Sequence, residues 1–172
     1  DSQPTKGNIA GGLTNSGVIS GGGYSVYVDS SSSLDNIAIA GRNTAQFIGD
    51  VYAPNTPVTI TGNSVYTLGA NFSVSRFDNG GILASTPGTS YVISGDGASP
   101  TTYNQSTQGI YRVGVNGTNT GSYGSVAVVG DANFDTNSGI DVRLSGTAAG
   151  IGAGTVLGNI FNATGTINSS TF

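Results

Sequence analysis

All nine acidic residues are Asp, and the chain has no Glu, His or Cys. Without His or Cys, neither a Ser-His-Asp nor a Cys-His arrangement can be assembled. Serine with Lys6 is the remaining nucleophile–base option, and Lys6 sits in a polar terminus. Asp29, Asp35 and Asp50 could converge if successive segments stack, and paired carboxylates can cleave glycosides. Asp is also a common turn residue, which predicts three separate solvent-facing carboxylates instead. The run Asp131-Ala132-Asn133-Phe134-Asp135-Thr136-Asn137 places oxygen ligands at alternate positions, as a calcium loop begins. Its sixth position is Thr136 where the loop needs Gly, and its twelfth is Val142 where it needs Glu. The plainer reading is a turn whose polar residues face water while Ala132 and Phe134 pack inward. The expectation is a protein that is not an enzyme and has no metal site and no cofactor.

Other candidate features are weaker. Exposed tyrosines can hold sugars or proteins, although tyrosine more often covers a core or an edge. Sequons at Asn71, Asn104, Asn116, Asn162 and Asn168 follow from a composition rich in Asn, Ser and Thr. Glycine-rich corners lack the Lys and the strand-to-helix context of a phosphate loop.

The elements that would carry these residues are strands. At 172 residues, with 29 glycines and 8% charged residues, the chain holds few strong helix formers and no sustained helical stripe. An all-β class is expected. A net charge of −4 with five basic residues disfavours nucleic acid and anionic membranes. No disulfide can form, so the core must come from packing. There is no long apolar span and no amino-terminal signal pattern. The polar start at Asp1 and the stop at Phe172 read as boundaries within a larger protein. Disorder is disfavoured by the 36% hydrophobic content and the regular recurrence of β-branched residues.

Leu13-Thr14-Asn15-Ser16-Gly17-Val18-Ile19 is echoed at Leu34 to Ile39 and again at Phe77 to Leu83, with a degraded copy expected near residue 56. A step of about 21 residues in an all-β chain points to a solenoid. The expected fold is a right-handed parallel β-helix over residues 8–100. Leu13, Leu34 and Phe77 would form one inward column and Ile19, Ala40 and Leu83 another. Asn15, Asn36 and Asn79 would stack at a corner. A Pro-, Gly- and Ser-rich connection spans 85–102, with a strand at Tyr91-Val92-Ile93.

From residue 101 the spacing changes. Gly109, Gly124, Gly139 and Gly154 step by 15, each followed by a short apolar run, and Asn116-Gly117 is a hairpin signal. Residues 101–172 are therefore expected to form a hairpin-rich, sandwich-like cap. Its core would be Tyr111, Val113, Val126, Val128, Ile140 and Val142.

The pattern Tyr103, Gln105, Gly109, Tyr111, Val113, Val115, Tyr123, Gly124, Val126, Val128, Gly130, Ala132, Ile140 and Val142 resembles the carboxy-terminal end of type Va autotransporter passengers. The earlier Asn-Ser-Gly-type repeats are similar to passenger β-helix rungs. The resemblance implies an autochaperone, or junction, region that caps the β-helix and promotes passenger folding. It implies a secreted chain displayed at the bacterial cell surface after crossing the periplasm and outer membrane. Its partners would be its own upstream passenger and a downstream membrane β-barrel, with a host surface ligand as a further option. A monomer is expected. The alternatives are an adhesin-type module for host glycan or protein, and a β-helix enzyme acting on polysaccharide.

Overall fold

A computed structural model describes residues 8–97, 99–146, 151–152 and 154–169. The described residues form seventeen strands and no α-helix, and every named strand pairing is parallel. The protein is all-β with parallel sheets.

The pairings form three long ladders. The first joins β3 (Val18–Tyr27), the start of β6 (Gln46–Ile60), the start of β8 (Phe72–Asn79), β10 (Ser90–Ser94), β13 (Ser125–Val128) and β16 (Phe161–Ala163). The second joins β2 (Leu13–Asn15), β5 (Ile37–Ile39), the ends of β6 and β8, β11 (Thr101–Gln105), β14 (Gly130–Phe134) and β17 (Ile167–Ser169). The third joins β7 (Val65–Thr67), β9 (Ile82–Ser85), β12 (Ile110–Val115) and β15 (Gly139–Leu144). β1 (Asn8–Ile9) and β4 (Ser33–Leu34) form a separate short pair.

Strand alternation sends every second side chain inward. In β12, Tyr111, Val113 and Val115 are buried while Arg112 and Gly114 between them are not. On the second ladder the inward column runs Leu13, Ile37, Val58, Phe77, Tyr103, Ala132 and Ile167. On the first it runs Val26, Val51, Phe72, Ile93, Val128 and Ala163. Aromatic rings connect the columns: Phe72 meets Phe77, Phe77 meets Tyr103, and Tyr103 meets Phe134 and Phe161, at centroid distances of 5.0–6.1 Å. Each fully buried apolar side chain of this size contributes roughly 1.5–3 kcal/mol.

Several sequence expectations require correction. Leu13 and Phe77 share a column, but Leu34 does not: Ile37 pairs with Leu13, and Leu34 is buried beside Ile9 instead. The reason is the register, which steps 24 residues from Leu13 to Ile37 and not 21. Asn15 and Asn79 likewise share a column, and Asn36 falls outside it. Ile19, Ala40 and Leu83 do not stack, because Ile19 pairs with Phe47 and Leu83 with Tyr66 and Tyr111. The degraded repeat near residue 56 is in place, with Val58 between Ile37 and Phe77.

The expected change of architecture at residue 101 is also corrected. β11, β12 and β13 extend the ladders of β8, β9 and β10. The 15-residue glycine step is about half of the pairing step: Ile110 pairs with Gly139, 29 positions on. Gly109 comes just before β12, where a Cβ would collide with the Asn79 carbonyl, and Gly139 opens β15. The Asn116-Gly117 signal produces only a short turn-back. There Val115 bridges Tyr123 in antiparallel fashion and Asn116 N donates to Ser122 O at 2.7 Å.

Candidate functional site

The acidic residues do not converge. Asp29 lies in the turn after β3, accepting from Ser31 N at 2.8 Å and Ser31 Oγ at 2.6 Å. These bonds hold its carboxyl below the usual range. Asp35 accepts from Gly11 N at 2.8 Å, and Asp50 in β6 accepts from Asn71 N at 3.0 Å. Among the described residues no group of three or more metal-ligating side chains comes together. Lys6 lies outside the described residues. The calcium-like run is strand up to Phe134, where Asp131 accepts from Thr166 N and Asn133 accepts from Asn168 in β17, and a turn from Asp135 to Ser138, closed by Ser138 N donating to Asp135 O at 3.0 Å. Ala132 and Phe134 point inward, as the plainer reading expects.

Tyr111, Val113, Val126 and Val128 are buried in the shared interior. Ile140 and Val142 are 44% and 47% exposed, although they pair with Tyr111 and Val113. They lie on β15, which has one neighbouring strand among the described residues. Phe134, Ile140, Ile160, Phe161 and Ile167 line an open apolar hollow of about 220 Å³ at this end.

Polar side chains form two kinds of structural array. Inside, Asn79 Nδ2 donates to Ile110 O at 3.0 Å and to the Tyr103 hydroxyl at 3.1 Å, and that hydroxyl donates to Gln105 Oε1 at 2.8 Å. This satisfies buried polar groups at a corner, as interiors require. Outside, Asn168 donates to Asn133 at 2.9 Å, Asn133 to Asn104 at 2.9 Å and Asn104 to Asp78 at 2.7 Å. The outer face of the third ladder carries Asp141 between Arg112 at 2.9 Å and Arg143 at 2.8 Å. Arg76 is likewise outward, 2.8 Å from Asp78.

One arrangement has the makings of a ligand site. Tyr24, Tyr27 and Tyr52 meet on the outer face of β3 and β6. Tyr27 and Tyr52 are stacked at 5.2 Å, and Tyr24 lies 5.2 Å from Tyr27, tilted to it, and 6.1 Å from Tyr52, edge-on to it. Tyr24 and Tyr27 are 52% and 59% exposed. A regular strand would send residues three apart to opposite faces. Here the β3–β6 register shifts between Tyr24 and Val26, and the irregularity brings both rings to one side. Gly49 supports it with φ 100°, and a Cβ there would meet Gly21 O at 2.7 Å. The Tyr52 hydroxyl donates to Asp96 Oδ1 at 2.7 Å, and this bond, with lesser burial and charge effects, pushes its pKa up to about 12. An open hollow of about 260 Å³ adjoins Tyr27 alone of the three rings, its lining shared with Ile9, Asp29, Ser32, Ser33 and Leu34. The sequence segment Tyr24 to Val28 reads only as another strand face, since the bulge that gathers the rings has no local signature beyond Gly21-Gly22-Gly23.

Compared with protein families, with curated proteins and with solved structures, the chain matches none.

Proposed function

We propose that the chain is a rod-like structural segment of a secreted bacterial surface protein, of the kind found in autotransporter passengers. In this reading the three parallel ladders wind as a right-handed parallel β-helix, the hand that parallel crossover connections overwhelmingly take. The observation that carries the reading is the unbroken in-register column from Leu13 to Ile167, fully buried from Ile37 to Ala132. Such a stack transmits its register along the whole length, and each rung depends on its neighbours for burial. The residues from 101 onward serve the same rod. Their pairing steps of 26–35 residues argue against a separately folding hairpin cap and for a growing end on which earlier rungs rest. The apolar end at Ile140, Val142 and Ile167 would be covered by further rungs or by a cap, since exposed sheet edges template aggregation.

The test is antibody labelling of intact cells of the source bacterium, with external protease added. Surface labelling that is lost on shaving supports the reading. A signal seen only after lysis, in the cytoplasmic fraction, overturns it. The exposed tyrosine cluster favours a second reading, a binding module carried on the same rod.

A further inference from the structure

We propose that the Tyr24, Tyr27 and Tyr52 cluster, flanked by Asp29 and Asp96, binds a small alkylated ammonium cation. The inference is independent of where the rod is displayed, because it rests on the chemistry of one face.

Aromatic rings carry negative potential on their faces and attract cations within about 6 Å of the centroid. Tyr27 and Tyr52 are stacked on each other, so a small cation can lie over the face of Tyr27 turned away from Tyr52, with the tilted ring of Tyr24 5.2 Å from Tyr27 at its side. The surrounding charge has the matching sign. Asp29 lines the hollow beside Tyr27, and Asp96 holds the Tyr52 hydroxyl. Donation of that hydroxyl to a carboxylate leaves the ring richer in electrons and fixes its position. Among the described residues the arginines lie elsewhere: Arg42 bridges to Val65, Arg76 pairs with Asp78, and Arg112 and Arg143 share Asp141.

The hydrogen-bonding inventory separates a cation from a neutral sugar. Side-chain donors near the rings are already engaged: Ser25 Oγ with Gly49 O at 2.7 Å, Ser31 Oγ with Asp29 at 2.6 Å, Asn71 Nδ2 with Asp50 at 3.3 Å, and Ser73 with Ser94 at 3.4 Å. Among the described residues around the rings and the hollow, the remaining hydroxyls are those of Tyr24, Tyr27, Ser32 and Ser33, of which Ser32 and Ser33 have partners of their own, and the rest of the face offers carboxylate acceptors and ring faces. A sugar hydroxyl needs donors as well as acceptors. An ammonium bearing methyl groups needs only what this face supplies, and its methyl groups gain from apolar contact with the rings.

Calorimetric titration with choline and with its neutral tert-butyl isostere, 3,3-dimethylbutan-1-ol, tests the proposal, with a panel of neutral oligosaccharides as a third arm. Choline should bind saturably and the isostere at least tenfold more weakly. Tyr27→Leu should abolish choline binding and Asp96→Asn should weaken it severalfold. Both positions are exposed, so circular dichroism should show the fold intact. Tyr52→Phe keeps the ring and loses the bond to Asp96, and should fall between wild type and Tyr27→Leu. Equal binding of the isostere reduces the site to an apolar patch and overturns the proposal. So do binding of neutral sugar without choline, no heat with choline, and choline binding unchanged in folded Tyr27→Leu.

Discussion

At the scale of single residues, the interior is held by amides and phenols as much as by hydrocarbon. Asn79 ties three strands, donating to Tyr103 and Ile110 while its Oδ1 accepts from Gly81 N at 3.3 Å. Asn79→Ala removes these three bonds from the core, leaving the Tyr103 hydroxyl only its bond to Gln105, and should cost about 1–3 kcal/mol in urea unfolding. A cost within error would show that water replaces the amide. The buried phenols set a second expectation. Burial pushes the Tyr111 hydroxyl up to about 12, against a hydrogen bond with Ser85 that lowers it, and burial raises Tyr66 and Tyr103 further. A folded pKa above the unfolded one stabilises the fold below about pH 10, and that stability is lost as pH rises through the folded values. Tyrosinate absorbance from these residues should therefore appear together with the loss of the circular dichroism of the strands. A gradual rise in absorbance with the strands intact would contradict this burial. The exposed trio on β3 and β6 was hidden in the sequence because its assembly depends on an irregular register, and no spacing of Tyr24, Tyr27 and Tyr52 encodes that.

At the scale of strands, the alternation of apolar residues was legible and the offset between partners was not. Leu13-Thr14-Asn15 resembles Leu34-Asp35-Asn36 in letters, yet the chain pairs Leu13 with Ile37. Two inward candidates three residues apart are both apolar, and the length of the intervening corner decides between them. Those corners vary, so the pairing step runs from 17 residues (Val65 to Ile82) to 35 (Ser90 to Ser125). Glycine marks breaks between strands without saying how many strands separate two paired ones, so a step of 15 does not by itself give the partner. The register can be tested at adjacent residues in β6. Val58 is fully buried between Ile37 and Phe77, and Thr59 points outward opposite Asp78. Val58→Asp buries an unpaired charge and should cost at least about 3 kcal/mol. Thr59→Asn sets an amide beside the Asp78–Asn104–Asn133–Asn168 array and should lie within about 0.5 kcal/mol of wild type. Reversal of that order in thermal melts would move every side chain of the ladder to the other face.

At the scale of the molecule, the proposed stack of rungs would have a property that a closed core lacks: it could lose one period and stay whole. Val51 pairs with Phe72, 21 residues later, on the first ladder. Removing residues 51–71 puts Phe72 where Val51 stood, with Val26 as its new neighbour, and lets Phe77 follow Ile37 on the second ladder. On the third, Ile82 takes the place of Val65 beside Arg42. All three columns close again, at the loss of one rung's burial. Nearest-neighbour stability then falls by one increment while cooperativity remains. Removing only residues 51–60 instead sets unlike corners over one another, turns inward residues outward and leaves ladder hydrogen bonds unmade. The expectation is that the 21-residue deletion keeps a parallel-strand circular dichroism spectrum and one protease-resistant fragment, whereas the ten-residue deletion gives neither. If both deletions unfold alike, the strands depend on a single closed core, and the rod reading fails with them.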